Sequence, residues 1–325
     1  MEICNRQLKQ TAVSRLSGAS YDPRKLFLIH CAVSLGATLL VTLANFGFNR
    51  IIANTGGLSG ITMRSILITA QTALQLIVSL LLPFWEIGIF FAALRLAREQ
   101  SATPDHLTRG FQRIGPVLLL NLLRGLLLGL LLVPCTQAGM MLISFTPLYA
   151  SMEEALMPLV EQMNATGQIP VVDEATMNTM LQAMIPAFIL SGILWVGIAI
   201  PAMYRLKFAD YLVIDDPRTG PFRAMLTSFR MTRRQLWRLI RLDLSFWWFY
   251  GVQLLLVVIT YADWIFPSLS VSLKLPGDVT ALLLYGTYML GTLALTWGYG
   301  PYVQTTYAVL YDRLKAELPA PATEN

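Results

Sequence analysis

Glu86 and Arg124 are the residues best placed to do chemistry, because each interrupts a long apolar run. A charged side chain inside a hydrocarbon layer is costly, so such groups pair with one another or line a path for a substrate or proton. Glu86 lies nine residues before Arg95, and Arg124 lies eleven residues after Arg113. Both would sit about 14–16 Å into consecutive helices at 1.5 Å per residue. The spacing predicts an intramembrane ion pair that either holds two helices together or belongs to a transport path.

The other polar residues do not form a recognisable reactive constellation. Asp215 and Asp216 are adjacent carboxylates without further ligands, and they are more typical of a helix cap than of a metal site. The histidines, His30 and His106, lack the spacing of zinc ligands, and the three cysteines are too scattered for a disulfide framework. The sequence therefore predicts no catalytic residue, no cofactor and no metal.

The composition is that of a membrane protein. Hydrophobic residues make up 55% of the chain and charged residues 13%, with a mean hydropathy of +0.57. Soluble domains carry about 25% charged residues, so this chain cannot cover a water-exposed surface in the usual way. Its net charge of +5 is the excess expected of basic loops beside a membrane. We therefore predict a lipid bilayer as its surroundings and no nucleic-acid partner.

The apolar segments predict an all-α, polytopic fold with a bundle of six membrane-spanning helices. A spanning helix needs about 20 apolar residues, and six runs approach or exceed that length: 26–48, 65–96, 115–145, 184–204, 242–265 and 279–299. Together they form a membrane domain over 26–315. An amphipathic arm, 1–25, precedes it, and a disordered tail, 316–325, follows it. The segment 146–182 is predicted as a long polar outer loop.

The distribution of positive charge predicts the orientation. Of the 24 lysines and arginines, only Arg50, Arg64 and Lys274 fall in the loops after the first and fifth spans, and none lies between Arg124 and Arg205. The others lie in the arm, the 95–124 region, the 205–241 segment and the tail. Lysine and arginine mark cytoplasmic loops, so we expect both termini to be cytoplasmic.

The basic segment 205–241 also has a helical pattern. At about 100° per residue, five arginines fall within a sector of roughly 80°: Arg223, Arg230, Arg234, Arg238 and Arg241. The opposite side carries Phe222, Met225, Phe229, Leu236, Leu239 and Ile240. Asp215 or Asp216 would cap its start, with Pro217 or Pro221 in the first turn. The pattern predicts an amphipathic interfacial helix near 220–240, in one piece or two, and a second one near 3–16. Anionic lipid headgroups at the cytoplasmic face are the expected partner, and a specific protein partner is the alternative.

Several motifs in the second half of the chain resemble those of an uncharacterised bacterial integral-membrane family, domain of unknown function 975. They comprise Tyr-rich span ends, an Asp-x-Pro turn, a Ser-x-x-Met helix, a Trp, and Leu-Ser-Phe entering a span. The matching positions are Tyr204, Tyr211, Asp215, Asp216, Pro217, Ser228, Met231, Trp237, Leu244, Ser245, Phe246, Pro301, Tyr302 and Tyr311. The opening NRQLKQTA is also similar.

This resemblance implies a bacterial plasma (inner) membrane and no established activity. The family also resembles the membrane portion attached to some glycerophosphodiesterases, whose catalytic domain has no counterpart here. Two departures bear on the geometry. Arg234 stands where the family tends to have glycine, and Trp247, Trp248 and Phe249 stand where it tends to have Ile-Gly-Trp. They predict a less sharp break between the interfacial helix and the fifth span.

Three function classes follow from these observations. The first is a non-catalytic membrane scaffold or adaptor, favoured by the large basic inner surface. The second is a transporter or permease-like component, favoured by the proline-interrupted spans and the buried Glu86/Arg124 pair. The third, a lipid-modifying membrane enzyme, needs a cluster of acid, base or metal-binding residues at one interface, and the sequence offers only isolated ones.

Overall fold

The computed structural model describes residues 5–54, 58–145, 147–166, 174–261 and 277–317. Within these ranges every regular element is helical and no strand occurs, which confirms the prediction of an all-α fold. The predicted disordered tail, 316–325, lies almost entirely outside the described residues.

The described residues form twelve α-helices, numbered in chain order. The helices of the first half are α1 (Asn5–Ser17), α2 (Pro23–Asn54), α3 (Leu58–Ala97), α4 (Ile114–Ile143), α5 (Pro147–Thr166) and α6 (Glu174–Leu194). Those of the second half are α7 (Ile200–Leu206), α8 (Ala209–Asp215), α9 (Pro221–Thr232), α10 (Leu236–Leu244), α11 (Trp247–Thr260) and α12 (Gly277–Ala316). A 3₁₀ helix, Pro104–Arg113, precedes α4, and a π-helical turn, Trp195–Ala199, joins α6 to α7.

Four helical stretches of the described chain are long and apolar enough to cross a membrane: Pro23–Phe48, Met63–Ala97, Pro104–Ala138 and Met184–Asp215. A fifth is obtained if the bent pair α10 and α11 counts as one span. These correspond to the first five predicted spans. The predicted sixth span, 279–299, falls within the continuous helix α12, which is not among these candidates over its described residues. The sixth span therefore stays a prediction.

The helices divide into two units. One comprises Met1–Asn121 with Phe208–Asn325, and the other comprises Leu122–Lys207. In the first unit, α2, α3 and α12 pack on one another, and the 3₁₀ helix packs on α3. Trp85 of α3 donates its indole N–H to the carbonyl of His30 on α2 at 3.0 Å, which joins two of the predicted spans by a hydrogen bond as well as by apolar contact.

The contact between α3 and the 3₁₀ helix depends on two glycines. A Cβ on Gly88 would fall on the backbone of Leu107, and a Cβ on Gly110 would fall on the backbone of Phe84. Each helix therefore places a glycine directly against the backbone of the other. Small residues allow such close contact between helices within membranes. Phe84 and Gly88 are four residues apart and thus share one face of α3.

The end of α3 turns through a residue with left-handed backbone geometry. Glu99 has a φ of 58°, the conformation that commonly terminates helices but favours glycine. The Gln100 N–H donates to the carbonyl of Arg95 at 2.8 Å, which closes the turn. The Glu99 carboxylate also forms an ion pair with Arg15 of α1. This turn fixes the position of Arg98, which lies within it.

Helices α10 and α11 meet at a bend of 69°. The Phe246 side chain is buried and packs edge-on against Tyr302 of α12, with ring centroids 5.5 Å apart. The ammonium of Lys9 on α1 donates to the carbonyl of Ser245 at 2.7 Å and lies 4.0 Å from the centre of the Phe246 ring. The prediction that this break is less sharp than in other family members stays a prediction. A buried ring and a lysine from α1 hold the bend although no glycine is present there.

The second unit contains α5 and α6, which pack on each other. The predicted outer loop, 146–182, includes helix α5 and the beginning of α6. The segment 167–173 lies outside the described residues. Pro158 and Pro186 lie inside these two helices.

Helix α1 covers most of the predicted arm. Two residues of its expected membrane-facing side, Leu8 and Ala12, are fully buried where α1 packs on α12 and α3. Val13 remains exposed. Part of the predicted apolar face therefore binds the rest of the protein, and the interfacial position of α1 stays a prediction.

Candidate functional site: a charge cluster joining three helix ends

Five polar side chains from three helix ends meet in one cluster, which we call the Asp215 cluster. It comprises Arg98, Asp215, Tyr311, Asp312 and Lys315. Arg98 follows α3, Asp215 is the last residue of α8, and the other three lie near the end of α12. The sequence separations of 117 and 214 residues show that the cluster exists only once the helices have packed.

Arg98 is the centre of the Asp215 cluster. Its Nη1 and Nη2 donate to the two oxygens of Asp215 at 2.5 and 2.9 Å. Its Nη2 and Nε also donate to Asp312 at 2.6 and 3.1 Å. Arginine suits this position because its planar fork presents paired donors to a carboxylate. One guanidinium thereby joins the ends of α3, α8 and α12.

Asp215 has little accepting capacity left. Beyond Arg98, its Oδ2 accepts the Lys315 ammonium at 2.5 Å and the Tyr311 hydroxyl at 3.0 Å. The Asp215 side chain is only 8% exposed. A carboxylate offers about four acceptor positions, and four hydrogen bonds are made here, one to Oδ1 and three to Oδ2. Asp215 would have to break these bonds before it could act as a base. The arrangement therefore favours a structural role, holding the three helix ends together, over proton transfer.

The charges of the Asp215 cluster balance, since two carboxylates face two cations. The hydrogen bonds from Arg98 to Asp215 raise the pKa of the guanidinium above its ordinary value, so Arg98 stays charged. Burial and the nearby Asp215 charge raise the pKa of the Tyr311 phenol. Tyr311 therefore remains protonated and continues to donate at neutral pH.

An aromatic layer lies beside the Asp215 cluster. Tyr211 of α8 stacks on Tyr311 with ring centroids 5.3 Å apart, and Phe90 of α3 contacts Tyr211 at 5.2 Å. Phe208 contacts both tyrosines at 6.1 and 6.0 Å. Ring pairs at such distances are favourable beyond their buried area. The rings exclude water from one side of the cluster and strengthen its ion pairs.

Ser228 of α9 connects this layer to the basic segment. Its side chain is fully buried, and its hydroxyl accepts the backbone N–H of Phe208 at 3.2 Å. That N–H lies at the start of α8, where the first donors of a helix have no intrahelical partner. Met231 and Thr232 are also buried on this side of α9. The Ser-x-x-Met motif thus forms the packing face of α9.

The two aspartates of the Asp-Asp-Pro motif have different roles. Asp216 accepts the Arg218 N–H at 2.9 Å and the Thr219 hydroxyl at 2.6 Å, and the hydroxyl lowers the pKa of this carboxyl. It closes the turn that contains Pro217. The interpretation of Asp215 or Asp216 as the helix cap was wrong, since Gly220 occupies the N-cap of α9 and Pro221 its first turn. Asp215 is instead held by the Asp215 cluster.

The predicted basic helix consists of two pieces, α9 and α10. Of its five arginines, Arg238 is half-buried and the others are exposed: Arg223, Arg230, Arg234 and Arg241. The side predicted to face lipid is divided. Leu239 is fully buried in the protein, whereas Phe222 is 72% exposed. The residues between the helices, 233–235, shift the helical phase, so one continuous apolar face does not form.

The remaining motif positions also separate into packed and exposed groups. Phe246 and Pro301 are buried and Tyr302 is half-buried, all beside the bend between α10 and α11. In contrast, Trp237 is 74% exposed and Leu244 is 63% exposed. Ser245 donates its hydroxyl to the carbonyl of Leu242 at 2.6 Å, which terminates α10.

The predicted pair Glu86 and Arg124 lies on two different helices and in two different units. Glu86 is exposed on α3 within the first unit, and Arg124 is half-buried on α4 within the second. Their ion pair therefore stays a prediction.

Arg98, Asp312 and Lys315 are not among the site residues predicted from the sequence. Each lies one turn or less from the end of a long helix, among other charged residues that look alike in sequence. The available signal was topological. The predicted orientation places the region after the second span, the 205–241 segment and the tail on one side, and these are the segments that meet here. Among the described residues, no group of three or more His, Cys, Asp or Glu side chains is arranged to hold a metal ion.

The family model described as "Protein of unknown function (DUF975)" matches residues 7–317, which is nearly the whole chain. The chain belongs to this family. No curated protein and no solved structure matches it. The resemblance inferred from the motifs is thereby confirmed, while the relation to the membrane portion of glycerophosphodiesterases stays a prediction.

Within the family match, the motif residues fall into three structural groups. One holds the Asp215 cluster and its aromatic layer, through Asp215, Tyr211 and Tyr311. Another packs the bend between α10 and α11, through Phe246 and Tyr302. The third, containing Trp237 and Leu244, is mostly exposed. An exposed group of this kind is the surface most open to a binding role.

Proposed function

We propose that this chain is a multi-pass protein of the bacterial plasma membrane that acts as a non-catalytic scaffold or adaptor, with both termini and the basic segment 205–241 on the cytoplasmic side. The observation that carries the proposal is a set of exposed arginines and large aromatic residues on α9, on α10, between these two helices and at the start of α11. We call it the basic aromatic surface; it comprises Phe222, Arg223, Arg230, Arg234, Trp237, Arg241, Trp247 and Trp248.

The composition of the basic aromatic surface supports a position at the lipid headgroups. Trp237 and Trp247 are 74% and 70% exposed, and tryptophan is enriched where membrane meets water. Exposed arginines beside them attract anionic lipid. The sharp bend into α11 follows directly, as expected where a helix changes from lying along a membrane to entering it. Lipid would anchor the tryptophans, and those arginines of α9 and α10 that do not contact headgroups would be available to a protein partner.

The contacts among charged segments support the proposed orientation. Arg15 of the arm pairs with Glu99 after α3, and Arg98 reaches Asp215 and Asp312. These contacts bring together the four segments that the positive-inside rule assigns to one side. A topology that placed any of them on the opposite side would break these ion pairs.

Cysteine labelling checks the orientation. We expect Val160→Cys, on the predicted outer segment, to react with a membrane-impermeant maleimide in intact cells or protoplasts. Asp216→Cys should react only after the membrane is permeabilised. Val160 is 42% exposed and Asp216 is half-buried, so permeabilised samples supply the control for reactivity at each position. Labelling of both positions in intact cells would contradict the proposed topology.

Site-specific photo-crosslinking checks the scaffold role. A benzophenone amino acid at Arg234 should yield a discrete protein adduct in living cells, because this position lies on the basic aromatic surface. The same amino acid at Leu290 supplies the matched control, since this side chain is 73% exposed on α12 within the predicted sixth span. A discrete adduct at Arg234 alone, lost on the double change Arg223→Gln and Arg230→Gln, is the expected result. An absence of adducts at Arg234, or identical adducts at both positions, would contradict a specific partner.

Transport is the second candidate, and one feature of the second unit favours it. A π-helical turn, Trp195–Ala199, interrupts the candidate span Met184–Asp215, and such turns are frequent at functional sites. Pro186 lies in the same span, and broken helices form substrate sites in transporters. The hypothesised Glu86/Arg124 pair belongs to this candidate. A lipid-modifying enzyme, the third class, is the least supported, because the Asp215 cluster already uses its carboxylates for bracing.

A further inference from the structure

A groove runs along α1 where it packs on α12. It consists of two adjoining hollows of about 600 and 450 Å³ that share Val13 and Tyr302. The first hollow is lined by Arg6 and Lys9 of α1 and by Ser245 at the bend. The second is lined by Arg24 at the start of α2 and by residues 298–302 of α12.

The walls of the groove combine apolar and cationic groups. Val13, at the join of the hollows, is 52% exposed although it is apolar. Three cations, Arg6, Lys9 and Arg24, line the hollows against a single carboxylate, Asp22. An apolar floor with a surplus of positive charge at its ends is complementary to an amphiphile with an anionic head.

Lys9 is the cation set most deeply in the groove. Its ammonium contacts two neutral groups, the Ser245 carbonyl and the Phe246 ring, and burial lowers the pKa of this ammonium. An ammonium has three donors, and the Ser245 carbonyl takes one. A phosphate oxygen in the groove would accept another and offset the cost of desolvating the charge.

The groove also lies at the depth where headgroups are expected. The predicted first span begins at residue 26 and the predicted sixth ends at residue 299, and the second hollow is lined by Pro23, Arg24 and Tyr299. The Arg24 guanidinium lies 5.6 Å from the centre of the Trp297 ring. An arginine beside an interfacial tryptophan is typical of the boundary between hydrocarbon and headgroups.

We propose that this groove between α1 and α12 is a binding site for an anionic glycerophospholipid, whose phosphate contacts Arg6 and Lys9 in the first hollow and is also attracted by Arg24 in the second, and whose acyl chains lie over Val13. The site rests on the proposed membrane location, and it does not depend on the scaffold role. A lipid bound here would fill the space between α1 and α12, beside the bend at Ser245. It would thereby connect the membrane to the part of the protein that holds the basic aromatic surface.

Lipid titration of the purified full-length protein, followed by native mass spectrometry, tests the site. We expect phosphatidylglycerol to bind at least tenfold more tightly than phosphatidylcholine. The double change Arg6→Gln and Arg24→Gln should weaken phosphatidylglycerol binding about tenfold. The matched control, Arg223→Gln with Arg230→Gln, removes the same charge from α9 outside the groove and should change binding less than twofold. Equal weakening by both pairs would indicate diffuse attraction and overturn the site.

A second variant keeps the charges and fills the space. Val13→Trp should reduce phosphatidylglycerol binding by a similar factor, because the indole occupies the position of the acyl chains. Unchanged binding in Val13→Trp would overturn the groove as the location. Equal binding of glycerol phosphate and of phosphatidylglycerol would show that a free phosphate suffices. This result would overturn the proposal that the ligand is a lipid. Since these measurements use purified protein, they can fail while the crosslinking at Arg234 succeeds, and the reverse.

Discussion

Replacement of Gly88 by alanine should cause a large loss of stability. The new methyl group would fall on the carbonyl of Leu107, and the obstacle is backbone, so rotation of a side chain cannot relieve it. Overpacking of this kind costs about 1–3 kcal/mol or more. We expect the midpoint of thermal aggregation in one fixed detergent to fall by roughly 5 °C or more. Gly110→Ala should behave in the same way, because its methyl group would fall on the carbonyl of Phe84.

Gly36→Ala supplies the control for this prediction. Gly36 lies in α2, and a Cβ there would have nothing within 4 Å. Alanine favours a helix over glycine by about 1 kcal/mol, so this change should leave the midpoint unchanged or raise it slightly. A Gly88→Ala protein as stable as Gly36→Ala would mean that α3 and the 3₁₀ helix do not approach as closely as described.

Asp215→Asn should have the second large effect. It leaves Arg98 and Lys315 to share one carboxylate, and it removes charge-assisted hydrogen bonds from two cations and from Tyr311. Removing one partner of a buried pair costs about 3–5 kcal/mol. Arg98 and Lys315 are 34% and 40% exposed, so solvent will offset part of that cost, and we expect about 2–3 kcal/mol.

Asp216→Asn is the matched control, one residue away with the same change of charge. Asparagine can close the same side-chain-to-backbone turn, so the loss should be a few tenths of a kcal/mol. Chemical denaturation in mixed micelles, followed by tryptophan fluorescence, would compare the two variants. Equal losses would show that Asp215 has no bracing role beyond that of a surface carboxylate.

The helices of this fold could be predicted from the sequence because the patterns that indicate them are local. Long apolar runs predicted the positions of α2, α3 and α4, and arginine spacing predicted helices α9 and α10. The break between those two helices was left open, because residues 233–235 carry no proline or glycine. The contacts at the bend beside Ser245 were not predicted for a related reason. Lys9, which donates to the Ser245 carbonyl, lies 236 residues away, and local sequence cannot reveal such a partner.

The candidate site was predictable only in part. Asp215, Tyr211 and Tyr311 were identified through motifs, although their partners were not. Arg98 differs little in sequence from other arginines near helix ends, and its importance comes from the left-handed turn at Glu99 and from α8 and α12 meeting there. Pairing between distant helix ends depends on packing geometry, which composition and periodicity do not encode.

The contact between Lys9 and the bend at Ser245 determines the order in which the helices can pack during synthesis. A ribosome synthesises α1 long before the residues that α1 binds, since Lys9 precedes Ser245 by 236 positions and Thr11 precedes Arg313 by 302. During that interval the buried side of α1, Leu8 and Ala12, has no final partner from α12. Helix α1 can complete its docking only after α12 has emerged. Helix α1 is therefore synthesised early but is among the last helices to pack. Its packing on α12 completes the first unit.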